Sequence, residues 1–197
     1  MLRLAITGSI GMGKSTVAKM FEQAGIPLFD ADSVVRDLQS NDPVLIAAIG
    51  ERFPGTAVNG VLDREALARA VLGAPLELEA LEGIVHPEVQ AARARFIEIN
   101  KGAPALLFDI PLLFETGGEG DFDKVIVVSA PAAIQRDRVL ARQGMTEQKL
   151  DSILARQMPD DEKRRLADFV VDTGVGLSTT QGQVSEILYC LGLGPGR

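Results

Sequence analysis

Gly8, Gly13, Lys14 and Ser15 stand at the spacing G-x-x-x-x-G-K-[ST] inside Gly8-Ser9-Ile10-Gly11-Met12-Gly13-Lys14-Ser15. Together these residue types bind phosphate. Successive main-chain N–H groups of such a loop wrap an anion, and the helix that follows adds the positive end of its dipole. Glycines let the backbone close on the phosphates. Lys14 then reaches the β- and γ-phosphates while the Ser15 hydroxyl ligates Mg²⁺. The segment from Gly8 through Ser9, Ile10, Gly11, Met12, Gly13, Lys14 and Ser15 to Thr16 is therefore expected to hold a nucleoside triphosphate.

Carboxylates and arginines supply the rest of the candidate chemistry. Asp30 and Asp32 close the second apolar run, and in extended chain a period of two points both the same way. Asp32 can accept a proton from an attacking hydroxyl, or it can cap the helix after it. Asp109 ends the run Leu106-Leu107-Phe108, the arrangement that holds Mg²⁺ beside a phosphate loop; Ile110-Pro111 allows a plain strand-end turn instead. Glu115 can touch substrate or face water. Arg138 and Arg142, four apart, project from one helix face and can converge on one anion. His86, the single histidine, precedes Pro87 at an expected helix junction, where a structural role is the ordinary one. No His/Cys/Asp/Glu cluster has zinc-ligand spacing. Cys190 lies in the apolar helical run Ile187-Leu188-Tyr189-Cys190-Leu191, as a core residue would.

These residues need elements to position them. Apolar runs at 2–7, 27–30, 105–109, 124–129 and 169–172 read as strands, and the helical patterns between them argue for a parallel α/β sheet. About seventy residues separate the second and third runs, far more than a crossover helix requires. That stretch reads as helical throughout: 32–39, a helix starting at Pro43, 64–72, 76–85, and 87 to about 100, with a turn at Asn59-Gly60. Residues 131–167 read as a second helical piece, broken at Gly144 and at Met158-Pro159. Its charge run Asp160-Asp161-Glu162-Lys163-Arg164-Arg165 reads as a solvated face. The tail 192–197 is Gly/Pro-rich and expected to fray.

Composition sets the outer limits. The 197 residues suit one domain that needs no staples. A net charge of −7 argues against general affinity for nucleic acid or anionic membrane. One cysteine rules out an internal disulfide and suits a reducing cytoplasm. The first strand starts at Leu2, so no signal peptide is expected, and no apolar run reaches the ~20 residues of a membrane span.

Taken together, the motifs resemble the dephospho-CoA kinase family, from Leu4 to about Val184. The resemblance rests on Thr7-Gly8 through Lys14-Ser15-Thr16-Val17-Ala18, Asp30-Ala31-Asp32, Leu81-Glu82, His86-Pro87 with Val89, and Asp109-Ile110-Pro111-Leu112-Leu113-Phe114-Glu115. It continues through Gln135 with Arg138 and Arg142, Gln157-Met158-Pro159 with Lys163, Ala167-Asp168, and Val170-Val171-Asp172. It implies an α/β fold of the P-loop NTPase type: a parallel five-stranded sheet wound with helices. The core would be approximately 1–32, 103–131 and 168–191, with a helical substrate subdomain at 33–102 and a helical lid at 132–167.

The reaction implied is ATP-dependent phosphorylation of the ribose 3′-hydroxyl of dephospho-CoA, by a cytoplasmic monomer or small homo-oligomer. Asp32 would be the catalytic base, with Lys14 and Arg142 stabilising the phosphates and Arg138 beside them in the lid. Asp32, His86, Asp109, Leu113 and Glu115 would meet the acceptor, and Ser15 and Asp109 the Mg²⁺. Three positions depart from the family pattern. Ser9 replaces a usual second glycine. Gln143-Gly144 follows Arg142, where the family commonly has Asp or Asn. Thr173 replaces a common Asn at a strand end near the adenine, which bears on nucleotide preference.

Two rival classes fit less well. A nucleoside monophosphate kinase would share the phosphate loop but not the Asp109-to-Glu115 and Asp30-to-Asp32 motifs. A GTP-binding switch protein would carry N-K-x-D, and Asn100-Lys101-Gly102-Ala103 lacks its Asp; no aspartate has a glycine three residues on.

Overall fold

A computed structural model of the chain describes residues 1–194. Its elements in order are β1 (Leu2–Thr7), α1 (Lys14–Gln23), β2 (Leu28–Asp30), α2 (Ala31–Asn41), α3 (Pro43–Arg52), β3 (Ala57–Val58) and β4 (Val61–Leu62). Then follow α4 (Arg64–Val71), α5 (Pro75–Ile99), β5 (Ala105–Asp109), a 3₁₀ turn (Glu119–Asp121), β6 (Lys124–Ser129), α6 (Ala132–Leu140), α7 (Glu147–Leu154), α8 (Asp160–Leu166), β7 (Phe169–Asp172) and α9 (Leu177–Cys190). The chain divides into two compact units, one of residues 1–29 and 100–194, the other of residues 30–99. Among the described residues no helix is long and apolar enough to cross a membrane.

The first unit is built on a five-stranded parallel sheet in the order β2-β5-β1-β6-β7. β1 lies centrally and pairs in parallel with β5 (Leu4 opposite Leu107) and with β6 (Ile6 opposite Ile126). A strand covered on both faces can be apolar throughout, and β5 is buried at every position. Over one face lie Val17, Ala18 and Phe21 of α1 with Val184, Ile187 and Leu188 of α9. Ala5, Val125 and Val127 pack with Leu113 and Phe114 in a second cluster. Because every strand runs the same way, their carboxyl ends share one edge, where ligands of such sheets bind.

The second unit has its own core: Leu38, Leu45, Ile46, Ile49, Phe53, Leu62, Leu67 and Val85. It is not wholly helical. Asn59 (φ 52°) and Gly60 (φ 76°) both take positive φ and join β3 to β4 as a two-residue hairpin. This is the left-handed pair that suits the twist of antiparallel strands. Strands of two residues are too short to show an alternating pattern.

The two helices expected on either side of His86-Pro87 are one, α5, with Pro87 inside it. Proline removes one helical hydrogen bond and crowds the carbonyl four residues back. That carbonyl belongs to Gly83, which is exposed to water and carries no side chain. Ala80, Leu81, Ile84, Val85 and Val89 pack on the unit's core from both sides of the proline, and this packing overrides the local break.

Cys190 is exposed rather than core, because α9 buries Thr180, Val184, Ile187 and Leu188 along another stripe. Of the expected fraying tail, residues 195–197 lie outside the described residues.

Candidate active site

The turn from β1 into α1 is the phosphate loop. Gly13 (φ 88°) caps α1 without any side-chain hydrogen bond, and the first turn carries no acidic residue. The leading N–H groups of α1 thus have no side-chain acceptor from the cap, the arrangement that favours an anion. Gly11 (φ 78°) meets a second demand: a Cβ there would stand 2.4 Å from Val139 Cγ2. No other residue lets α6 approach the loop so closely. Ser9, in place of the usual glycine, is buried.

Lys14 and Asp109 meet as an ion pair across the carboxyl ends of β1 and β5, both largely buried. The Thr7 hydroxyl donates to the Pro111 carbonyl at 3.2 Å, tying the loop after β5 to the phosphate loop. Ser15 and Thr16, in the first turn of α1, are exposed. Lysine, a serine hydroxyl and a strand-end aspartate therefore converge beside an uncapped helix N-terminus, the donor set that suits a metal-bound triphosphate.

A cavity of about 270 Å³ opens from this loop, lined by Gly11, Gly13, Thr16, Arg138, Arg142 and Thr173, with Val175 and Leu177 as apolar wall. The two arginines differ within it. Arg138 donates to the Thr173 hydroxyl (2.9 Å) and carbonyl (2.7 Å), and weakly to the Gly11 carbonyl at 3.5 Å. Arg142, two residues past α6, is exposed at the rim. Thr173 is itself a joint: its buried hydroxyl donates to the Met12 carbonyl at 2.6 Å.

Gln135, Gln157 and Lys163, which carry no role in the sequence pattern alone, have distinct partners in the structure. Gln135 Nε2 donates to the Ile10 carbonyl at 2.8 Å, and the Ile10 N–H donates to Gln157 Oε1 at 3.1 Å. Lys163 is fully buried, against the expected solvated face of its charge run. It ion-pairs with Glu115 at 2.8 Å, and the Met158 N–H donates to the same carboxylate oxygen, also at 2.8 Å. Burial pushes the Glu115 carboxyl up, but Lys163 and the Met158 N–H outweigh it and hold the group below its ordinary range. A single inward position per helical turn is the signal that could have picked Lys163 out of the run.

Leu113 is fully buried in the core. Asp32 and His86 are exposed in the second unit, on the first turn of α2 and within α5. The cap of α2 is Asp30, whose carboxylate accepts the Ser33 N–H at 2.9 Å. Helix starts at Ala31, so the extended spacing expected for Asp30 and Asp32 does not apply, and Asp32 is left free of the capping task.

The dephospho-CoA kinase family model matches residues 2–178. The chain belongs to the dephospho-CoA kinase family. A dephospho-CoA kinase of Mesorhizobium japonicum is 53% identical over 190 residues, 95% of each chain. A Thermus thermophilus crystal structure superposes with a TM-score of 0.83 at 35% identity, covering 96% of both chains. That of a Campylobacter jejuni dephospho-CoA kinase, at 21% identity and TM-score 0.67 over 96% of both, shares the fold.

Proposed function

We propose that this dephospho-CoA kinase family member transfers the γ-phosphoryl group of ATP to the ribose 3′-hydroxyl of dephospho-CoA, forming coenzyme A and ADP. The observation that carries the reading is the uncapped, glycine-headed α1 with Lys14 and Asp109 paired at its mouth. Such a transfer needs little covalent help from the protein; positioning and charge stabilisation do the work.

Residues 8–16 cradle the triphosphate. Lys14 exchanges its Asp109 partner for the β- and γ-phosphate oxygens, where charge builds up as the bond breaks. The Ser15 hydroxyl and the Asp109 carboxylate, once released, would hold Mg²⁺, which would supply charge neutralisation at the phosphates. Arg142, without a competing partner like those of Arg138, closes over the phosphates. Arg138 stays on Thr173 and frames the nucleotide cavity. Asp32, free of capping, orients the acceptor hydroxyl and takes its proton. His86 and the stretch from Ile110 to Phe114 belong to the acceptor side. The lone cysteine and small polar substrates suit a cytoplasmic enzyme, acting as a monomer or small homo-oligomer.

The test is ADP release from Mg²⁺-ATP with and without dephospho-CoA, with nucleoside monophosphates as controls. Stimulation by dephospho-CoA alone, with coenzyme A as product, is the expected result. Stimulation by a monophosphate alone would move the chain to another kinase class.

A further inference from the structure

The Glu115–Lys163 pair is an expensive way to fill its site. Lys163 is 0% exposed, and the second Glu115 oxygen, Oε2, is buried with no hydrogen-bond partner. Desolvating two charges offsets most of their attraction, so two apolar side chains of similar size would hold the fold about as well. Leu113, Phe114, Met158 and Ala167 already make that neighbourhood apolar.

What an apolar pair would not do is hold Met158. Its N–H donates to the Glu115 oxygen that also meets Lys163. One residue earlier, Gln157 accepts the Ile10 N–H, while Gln135 binds the Ile10 carbonyl from α6. Both main-chain polar groups of Ile10, midway along the phosphate loop, are thus gripped by side chains. The grips come from the two ends of the segment that carries Arg142 and α7. Fixing Met158 fixes where the Gln157 carboxamide sits.

We propose that Glu115 and Lys163 are positioning residues: by anchoring Met158 they seat Gln157 on Ile10 and hold the phosphate loop in its transfer-competent shape. Glu115 then acts on the nucleotide side of the reaction rather than by touching the acceptor. The inference rests on the kinase reading of the loop.

The experiment compares wild type, Glu115→Leu, Lys163→Met, the Glu115→Leu/Lys163→Met double variant, and Gln157→Met. Each is measured for urea midpoint, kcat, and KM for ATP and for dephospho-CoA. Single members of the pair leave a buried unpaired charge and lose stability; the double variant regains it. In the double variant kcat should still fall by about 10- to 100-fold and ATP KM rise, the scale of effect that a small misplacement produces. Dephospho-CoA KM should stay within about twofold. Gln157→Met should reproduce that kinetic pattern without the loss of stability, and combining it with the double variant should add little, as for steps on one path. A stable double variant with wild-type kinetics would make the pair structural only and overturn the proposal. Loss confined to dephospho-CoA KM would overturn it in favour of direct acceptor contact. Should the double variant not fold, Gln157→Met decides: wild-type kinetics there refutes the proposal. A wild-type protein without dephospho-CoA-stimulated ADP release would instead sink the kinase reading, which separates the two failures.

Discussion

Thr173 is the position where a single hydroxyl can be weighed. It donates to the Met12 carbonyl at 2.6 Å and accepts from Arg138 at 2.9 Å, with the residue 7% exposed. Thr173→Val keeps the shape and removes both bonds. The neutral bond is worth about 1 kcal/mol net, and the buried Met12 carbonyl left without a partner adds about 1–3 kcal/mol. The Arg138 bond adds less, because that guanidinium keeps the Thr173 carbonyl and reaches solvent. A loss of about 2–3 kcal/mol is therefore expected. For a chain of this length each kcal/mol moves the melting temperature by about 2–4 °C, so the drop should be roughly 5–10 °C. Met12 precedes the glycine that caps α1, so part of the loss belongs to loop order. If about 1 kcal/mol of it is recovered only when nucleotide binds, ATP KM rises roughly fivefold. The assay is thermal melting followed by near-ultraviolet or fluorescence signals, with ATP KM on the same preparations and Thr173→Ser as the control that restores the hydroxyl. A valine variant melting within about 2 °C of wild type would refute the reasoning.

Asp32→Asn should keep ATP affinity while kcat falls by about 10²–10⁴; unchanged turnover would remove Asp32 from the mechanism. Arg142→Ala should lose about 10³ or more in kcat at an unchanged melting temperature. Arg138→Ala should instead lower the melting temperature, having lost the Thr173 carbonyl bond, and reversed phenotypes would show that the two arginines have been assigned the wrong way round. Asp168 is raised by burial, but Lys124 and the Val125 N–H outweigh this and hold it below its ordinary range. Glu115 is depressed likewise. A depressed folded-state pKa gives stability that is fully present above the ordinary carboxylate range and lost as pH falls through the folded value. The urea midpoint should thus hold from neutral pH to about 5 and decline below it, with Asp168→Asn and Glu115→Gln each flattening the decline.

What could be read from residues alone was whatever depends on local repetition. The five strands lie within a residue of their expected bounds, because buried parallel strands are uninterrupted apolar runs. The phosphate loop was legible because its glycines and Lys14-Ser15 answer a local demand on backbone and charge. Features set by distant partners were not. Pro87 reads as a break until the packing on both sides of it is known. Lys163 looks solvated among five charged neighbours, and only the loop after β5 shows that it faces inward. Gln135 and Gln157 are ordinary polar residues until their shared partner, Ile10, stands between them. Asp30 and Asp32 could not be told apart because the choice turns on where α2 begins, and helix ends are set by a single cap.

The neighbours β2 and β5 lie side by side in the sheet, with the Leu107 N–H bonded to the Pro27 carbonyl, although residues 31–104, with all but the first residue of the second unit, lie between them in sequence. The chain therefore leaves the sheet-bearing unit and returns to it at adjacent points. A unit entered and left through one doorway can be exchanged, shortened or enlarged without re-threading the sheet that holds the phosphate loop. In evolutionary terms the unit 30–99 and the unit built on the sheet can drift at separate rates.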